Sequence, residues 1–303
     1  MLEVDRFLDA ESRLLRENAV PASSRFVELA SPVMRARVLE AGSGAPVVLI
    51  HGGNSVAASW APLLGLLRED ARLMAPDRPG CGLTDRVDYR KVPSFRDHCI
   101  SFLGSLLDAL GLDRVSVVGN SIGGWWALVY ALAHPERVDR IVCLGEPAAS
   151  SPRIQLRHRT LATPVVSSLL YATVLRPTRD RTRAQMAGVV AHPERLSEAF
   201  LDLAYSASVL PGARLAWTSM IERFVSGMRA PCGTYSIREQ LRSIRQRVLL
   251  VWGDKDGCPP RWGEELCRYL PNASLEVLRD VGHLPWLDEP ERVAALVRAF
   301  IRA

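Results

Sequence analysis

The sequence VSVVGNSIGGWWALVYALA, residues 115–133, contains a run of apolar residues typical of a buried strand, then a short turn, then a run typical of an apolar helix. Gly119 and Gly123 have no Cβ, so the chain can turn sharply here and expose the hydroxyl of Ser121. The free N–H groups and the positive dipole end of the following helix would face any negative charge formed beside that hydroxyl. The stretch therefore favours a nucleophilic serine over a turn with only a structural role.

Length and composition favour one large α/β domain with an insertion. The chain has 303 residues, of which 48% are hydrophobic and 23% are charged, as in ordinary soluble globular proteins. No apolar run approaches the ~20 residues of a transmembrane helix, so we expect no membrane span. Charges interrupt residues 1–18, which favours an amphipathic helix over a signal peptide and predicts a cytoplasmic protein.

The charge and the cysteines argue against two classes of partner. The net charge is +5, and basic residues are spread along the chain among acids, so we expect no nucleic-acid partner. The six cysteines include no Cys-x-x-Cys pair and no histidine cluster accompanies them, so we expect structural thiols and no metal. We expect a small-molecule substrate and no cofactor, and the sequence leaves the oligomeric state open.

Strand-like and helix-like patterns alternate along most of the chain, which predicts a mostly parallel sheet covered by helices. Eight strands are predicted, over residues 25–30, 34–40, 46–50, 72–75, 115–118, 138–144, 247–252 and 274–278. Between the sixth and seventh strands, residues 146–236 contain no convincing strand, and we interpret them as a helical cap. The core would then consist of residues 1–145, beginning with a helix over about residues 1–18, and residues 237–303.

Two polar residues follow predicted strands in the last part of the chain. His283 lies in the loop after the eighth strand, where it could act as a general base. Asp256 follows the seventh strand, where its carboxylate could orient the histidine and stabilise its protonated form. Ligands of open α/β sheets bind at the carboxyl ends of the strands, so Ser121, Asp256 and His283 are predicted to act together there.

The chain order nucleophile, acid, base resembles that of the α/β-hydrolase fold superfamily, in its serine-nucleophile branch. Three further segments are similar to motifs of that family: HGGN at residues 51–54 to its oxyanion loop, DRPGCG at residues 77–82 to the turn after its fourth strand, and GHLP at residues 282–285 to its histidine loop. The histidine loop also carries Asp288 and Pro290. The resemblance covers the chain except its first 20 residues and the cap, and it implies an eight-stranded sheet and cofactor-free catalysis.

The resemblance also implies roles for particular residues. The backbone N–H groups of Gly53 and Ile122 would form an oxyanion hole beside Ser121. Asp256 is favoured as the triad acid because it follows the family's spacing of glycine, two residues and acid. Asp254 would then have a turn role. Glu146, just after the sixth strand, is the main alternative, because some relatives carry their acid at that position.

A serine nucleophile argues against the branches of the superfamily that use aspartate, the haloalkane dehalogenases and the epoxide hydrolases. We therefore expect Ser121 to attack an ester-like carbonyl and form an acyl-enzyme that water resolves. The alternative is a carbon–carbon bond hydrolase of ring-cleavage-type diketones, which residues 119–124 also resemble. Against it, residues 54–57 are not rich in glycine and proline, and Leu284 stands where tryptophan often follows the histidine. Biosynthetic acyl transfer or cyclisation, and a slow-turnover ligand receptor, are further alternatives.

The sequence supports less specific expectations for the substrate pocket than for the catalytic residues. Trp125, Trp217, Asn54 and Leu284 are predicted to contact the substrate. An apolar inner face of the cap favours a substrate with a hydrophobic portion. That face is predicted from Phe200, Leu203, Tyr205, Leu210 and Leu215. Residues 150–183 contain seven arginines against one acid, and these either bind a substrate carboxylate or form a solvated helix face. They are Arg153, Arg157, Arg159, Arg176, Arg179, Arg181 and Arg183.

Overall fold

The computed structural model describes residues 2–148, 156–225 and 236–303, and its centre is an eight-stranded sheet. The strands are β1 (Ser23–Ala30), β2 (Val33–Ala41), β3 (Pro46–Ile50), β4 (Arg72–Pro76), β5 (Val115–Asn120), β6 (Val138–Leu144), β7 (Arg247–Gly253) and β8 (Ala273–Leu278). Their order is β1-β2-β4-β3-β5-β6-β7-β8, with β1–β2 and β2–β4 antiparallel and the other neighbouring pairs parallel. The predicted mostly parallel, eight-stranded sheet is confirmed.

Helices cover both faces of this sheet. They are α1 (Leu2–Glu17), α2 (Ala61–Leu67), α3 (Phe95–Ala109), α4 (Ile122–Ala133), α5 (Leu156–Leu161), α6 (Pro164–Ala172), α7 (Arg179–Ala187), α8 (Glu198–Val209), α9 (Ala213–Val225), α10 (Arg261–Cys267), α11 (Pro285–Asp288) and α12 (Pro290–Arg302). One hydrophobic cluster packs α3, α4 and α10 on one face, and a second packs α1, α2 and α12 on the other. Helix α1 occupies the segment where an amphipathic helix is predicted.

The central strands have apolar sequences because both of their faces are covered. Every residue of β5 is buried, as are the last four residues of β3. Strands buried on both sides are rich in Val, Ile and Leu and lack alternation with polar residues. Since β3, β5, β6, β7 and β8 run parallel, their carboxyl ends meet at one edge of the sheet. The loops that carry the predicted functional residues all leave from that edge.

Helices α5 to α9 lie between β6 and β7, and we refer to them as the inserted helices. Their position agrees with the lack of strand patterns between residues 146 and 236. That residues 146–236 form a cap domain, with these boundaries, stays a prediction. In the part of the chain that the structure describes, the helices are too short or too polar to cross a membrane.

A buried group of charges connects α1 to the carboxyl edge of the sheet. Arg37 on β2 is 1% exposed and donates through Nη1 to Glu11 Oε2 of α1 at 2.8 Å and to Asp77 Oδ2 at 3.4 Å. Asp77 directly follows β4 and also accepts hydrogen bonds from the backbone N–H groups of Ala57 (2.8 Å) and Leu83 (3.1 Å). One guanidinium thus holds together the N-terminal helix, the sheet and two loops near the site.

We expect Arg37→Met to lower the free energy of unfolding by roughly 3–5 kcal/mol, because it leaves two buried carboxylates without their cation. Urea denaturation at neutral pH measures this loss. Arg25→Met is the matched control, since Arg25 lies on the adjacent strand and pairs with Glu40 at the surface, with 43% of its side chain exposed. That substitution should cost less than about 1 kcal/mol. Equal losses in the two variants would contradict the prediction.

Candidate active site

Ser121 lies at the turn from β5 into α4 in a strained backbone conformation. Its φ is 52° and its ψ is −119°, which is unfavourable for a residue with a side chain. Its carbonyl oxygen accepts hydrogen bonds from the N–H groups of Gly124 (2.9 Å) and Ala148 (3.2 Å). The turn is therefore fixed both by the first turn of α4 and by the segment after β6.

Gly119 and Gly123 are required here by close approach rather than by a positive φ. A Cβ at Gly119 would lie 2.5 Å from the carbonyl carbon of Gly123, and a Cβ at Gly123 would lie 2.1 Å from the carbonyl oxygen of Ile50. The first turn of α4 thus packs directly against the backbone of β3 and β5. This contact places Ser121 at the carboxyl edge of the sheet, as the sequence predicts.

The side chains of His283 and Asp256 meet at the same edge. The distance from His283 Nδ1 to Asp256 Oδ2 is 2.8 Å, and the side chain of Asp256 is 2% exposed. The other carboxylate oxygen, Oδ1, accepts from the backbone N–H of Cys258 at 2.9 Å. With Nδ1–H directed at a carboxylate, Nε2 of His283 keeps a lone pair that can accept a proton. Asp254 instead accepts from the backbone N–H of Asp280 at 2.7 Å, the turn role expected for it.

A cavity of about 820 Å³ lies over this edge of the sheet. Ser121, His283 and Asp256 line it, as do Gly53 and Ile122. In the described ranges, the backbone N–H groups of Gly53 and Ile122 donate no hydrogen bond to the protein. Both are therefore available to an atom bound in the cavity.

The predicted substrate contacts are divided between the cavity and the core. Asn54, Trp217 and Leu284 line the cavity. Trp125 is not among the lining residues, and its contact with the substrate stays a prediction. Its fully buried ring stacks on Phe95 of α3, with ring centroids 5.7 Å apart. Helix α4 is apolar on every side, which is the pattern of a helix enclosed by the core, and that pattern could have identified Trp125 as a core residue.

Two side chains to which the sequence assigned no role, Asn120 and Asp288, hold the loops around the cavity in place. Asn120 Nδ2 donates to the carbonyl oxygens of Leu144 (2.7 Å) and His283 (3.2 Å), which connects β5, β6 and the histidine loop. Asp288 accepts from the backbone N–H groups of Gly282 (2.8 Å) and His192 (2.9 Å), which connects that loop to the segment after α7. Their positions beside Ser121 and in the histidine motif were the available signals.

The inserted helices form the apolar wall of the cavity opposite the sheet. Phe200 and Leu203 of α8 line it as predicted, whereas Tyr205, Leu210 and Leu215 are not among the lining residues. Trp217 of α9 packs on the oxyanion loop so closely that a Cβ at Gly53 would lie 2.4 Å from its ring. The inserted helices therefore contact the backbone that carries a predicted oxyanion donor.

The arginines of residues 150–183 are distributed between the cavity and the surface. Arg181 lines the cavity, together with Arg214 of α9. Arg179 and Arg183 instead form exposed ion pairs with Glu198. Arg153 lies outside the described residues, as does the side chain of Arg157. Within the described ranges, no cluster of three His, Cys, Asp or Glu side chains could hold a metal ion.

The chain is similar to known hydrolases along nearly its whole length. The chain is 29% identical to a 2-hydroxymuconate semialdehyde hydrolase of Pseudomonas putida over 280 residues, which cover 90% of this chain and 93% of that protein. It superposes on a meta-cleavage product hydrolase of Pseudomonas fluorescens IP01 with a TM-score of 0.75 and 24% identity, over 92% and 97% of the two chains. It superposes on a carboxylesterase of Bacillus subtilis with a TM-score of 0.77 and 20% identity, over 99% of each chain.

The two superpositions show the fold, in which the eight-stranded sheet and its helices correspond along nearly the whole chain. The family model described as the alpha/beta hydrolase family matches residues 47–296, from β3 to α12. This range contains the strained serine turn, the loop with Gly53 and the His283–Asp256 pair. The chain belongs to the α/β-hydrolase family.

Proposed function

We propose that the protein is a serine esterase that hydrolyses an ester with a large apolar portion through an acyl-enzyme on Ser121. The observation that carries the proposal is the 2.8 Å contact between His283 Nδ1 and Asp256 in the same cavity as Ser121. A histidine oriented by a buried carboxylate is the base that a serine hydroxyl needs to become a nucleophile.

Each step of this reaction has a group to perform it. His283 Nε2 takes the proton of Ser121 as Oγ attacks the ester carbonyl, and the N–H groups of Gly53 and Ile122 stabilise the oxyanion. The protonated His283 then gives its proton to the departing alcohol, which leaves an acyl-enzyme. Water, deprotonated by His283, attacks the acyl carbon, and the carboxylic acid is released as Ser121 Oγ takes the proton back from His283. Asp256 keeps the imidazole oriented and stabilises its charge.

The size and the walls of the cavity support a substrate larger than a short-chain ester. A volume of about 820 Å³ is in the upper part of the range for small-molecule sites. Phe200, Leu203 and Ile221 contribute apolar surface to its walls. In this proposal Trp217, Asn54 and Leu284 contact the substrate near the reacting carbonyl.

Carbon–carbon bond hydrolysis of a ring-cleavage product is the second candidate. The relatives named as 2-hydroxymuconate semialdehyde hydrolase and 2-hydroxy-6-oxo-2,4-heptadienoate hydrolase, each 29% identical to this chain, support it. Arg181 and Arg214 on the cavity wall also support it, because a guanidinium is suited to bind the carboxylate of such a substrate. Acyl transfer would differ only in the nucleophile that resolves the acyl-enzyme.

Substitutions at the triad test the mechanism. Ser121→Ala should abolish turnover. It should also abolish labelling by an organophosphonate, which intact mass and peptide mapping detect. Asp256→Asn should lower kcat by about 10⁴-fold, because the imidazole loses the carboxylate that orients it. Glu146→Gln should lower kcat far less than Asp256→Asn does. Asp254→Asn is the matched control, since Asp254 lies two residues from Asp256 and accepts hydrogen bonds only within its own turn. A larger loss in Glu146→Gln than in Asp256→Asn would assign the acid to Glu146.

A direct comparison of substrates tests the bond that is cleaved. We expect kcat/KM for p-nitrophenyl esters to rise as the acyl group lengthens from acetate to octanoate, because longer chains fill more of the apolar cavity. We expect 2-hydroxymuconate semialdehyde to be turned over more slowly than these esters, as measured by the decrease in its absorbance. The reverse order would favour the second candidate, and Arg181→Met and Arg214→Met should then raise the KM for that substrate.

A further inference from the structure

Arg78 is a buried cation that no carboxylate neutralises in the described part of the chain. It follows β4 and is 1% exposed. The neighbouring Asp77 is fully occupied, since its oxygens accept from Arg37, Ala57 and Leu83. A buried charge without a counter-ion is costly, so a protein keeps one where its field or its hydrogen bonds are needed. The contacts of the guanidinium indicate what it acts on.

The guanidinium of Arg78 reaches the oxyanion loop. Its Nη2 donates to the carbonyl oxygen of Gly52 at 2.6 Å. Its Cζ lies 5.4 Å from the ring centroid of Trp126, and its Nη1 lies 3.5 Å from the sulfur of Met220 on α9. These apolar neighbours exclude water from the charge, so the bond to Gly52 is made in a medium of low dielectric constant.

His51 donates a second hydrogen bond to the same carbonyl oxygen. The backbone N–H of Arg78 donates to His51 Nε2 at 3.0 Å, so the ring proton is on Nδ1, which lies 2.9 Å from the Gly52 oxygen. Burial, and then the charge of Arg78, hold the pKa of His51 well below its usual range. The imidazole therefore stays neutral at ordinary pH and keeps this orientation.

The carbonyl of Gly52 belongs to the same peptide group as the N–H of Gly53. Because a peptide is a conjugated unit, a cation bonded to its oxygen draws electrons from its nitrogen and makes the N–H a stronger donor. The Gly53 N–H is a donor that the proposed function assigns to the oxyanion. We propose that Arg78 is a positioning residue, which orients and polarises the Gly52–Gly53 peptide so that it stabilises the tetrahedral intermediate.

The missing counter-ion fits this role. A carboxylate paired with Arg78 would cancel its field in both the ground state and the transition state. Without one, the field is offset only when negative charge develops on the substrate oxygen beside Ser121. An interaction that strengthens only as this charge forms raises kcat rather than substrate affinity.

Neutral variants of Arg78 test this inference, which rests on the proposed function. In Arg78→Met, kcat for an ester that the wild type hydrolyses should fall by about 10- to 100-fold, less than the 100- to 1000-fold typical of removing a whole oxyanion donor. KM should change little. A boronic acid that forms a tetrahedral adduct on Ser121 should bind more weakly by the same factor, whereas the inhibition constant of the neutral product alcohol should stay constant. The kcat of Arg78→Lys, which keeps the charge, should lie between that of Arg78→Met and that of the wild type.

Tyr89→Phe is the matched control, since the Tyr89 hydroxyl donates to the carbonyl oxygen of Pro79 at 3.1 Å in the same loop but does not touch the Gly52–Gly53 peptide. It should keep the wild-type kcat. If circular dichroism shows that Arg78→Met does not fold, Arg78→Gln is measured in its place. A folded neutral variant with the wild-type kcat overturns the inference, as does an equal loss of affinity for the boronic acid and for the product alcohol. Failure of the proposed function has a different signature, in which the wild type itself is not labelled at Ser121 by an organophosphonate.

Discussion

The backbone contact between β3, β5 and the first turn of α4 is the constraint on which the site depends. Gly119 and Gly123 allow three backbone segments to approach within a distance that no Cβ would fit. This approach forces Ser121 into its positive φ, a conformation that costs of order 1–3 kcal/mol and persists only where the surroundings over-determine it. The fully buried strand β5 and the enclosed helix α4 supply those surroundings.

Two buried arginines differ in their electrostatic environments, since Arg37 is paired with carboxylates and Arg78, within the described residues, is not. Arg37 lies between Glu11 and Asp77, whose carboxylates neutralise its charge. These ion pairs hold α1 and the loop after β4 to the sheet. Because Asp77 is committed to that structural group, Arg78, the next residue in the chain, keeps its charge for the carbonyl of Gly52. The first group fixes the loop after β4 to the sheet, and that loop carries the second guanidinium, which donates to the Gly52–Gly53 peptide.

The sequence predicted the elements that depend on local patterns. The eight strands, the serine turn and the loops of Asp256 and His283 followed from apolar runs, glycines and strand ends. The Arg37 and Arg78 contacts could not be predicted in this way, because they join residues 26 positions or more apart and depend on which carboxylates remain free. The packing of Trp125 on Phe95 of α3 and Phe224 of α9 could not be predicted from its position near Ser121 either, because these contacts join residues distant in the sequence.

The inserted helices and the segment after α7 contact the carboxyl edge of the sheet at several points, so the geometry of the site and the shape of the cavity depend on each other. Trp217 packs on Gly53, Met220 lies against Arg78, and His283 donates its backbone N–H to Val189 at 2.7 Å. A change in these helices would therefore alter the oxyanion loop and the histidine loop as well as the substrate wall. Proteins named as a meta-cleavage product hydrolase and as a carboxylesterase share this fold, so the fold alone does not determine which bond is cleaved. In the proposed mechanism, the bond is selected by how α5–α9 position a carbonyl against Ser121.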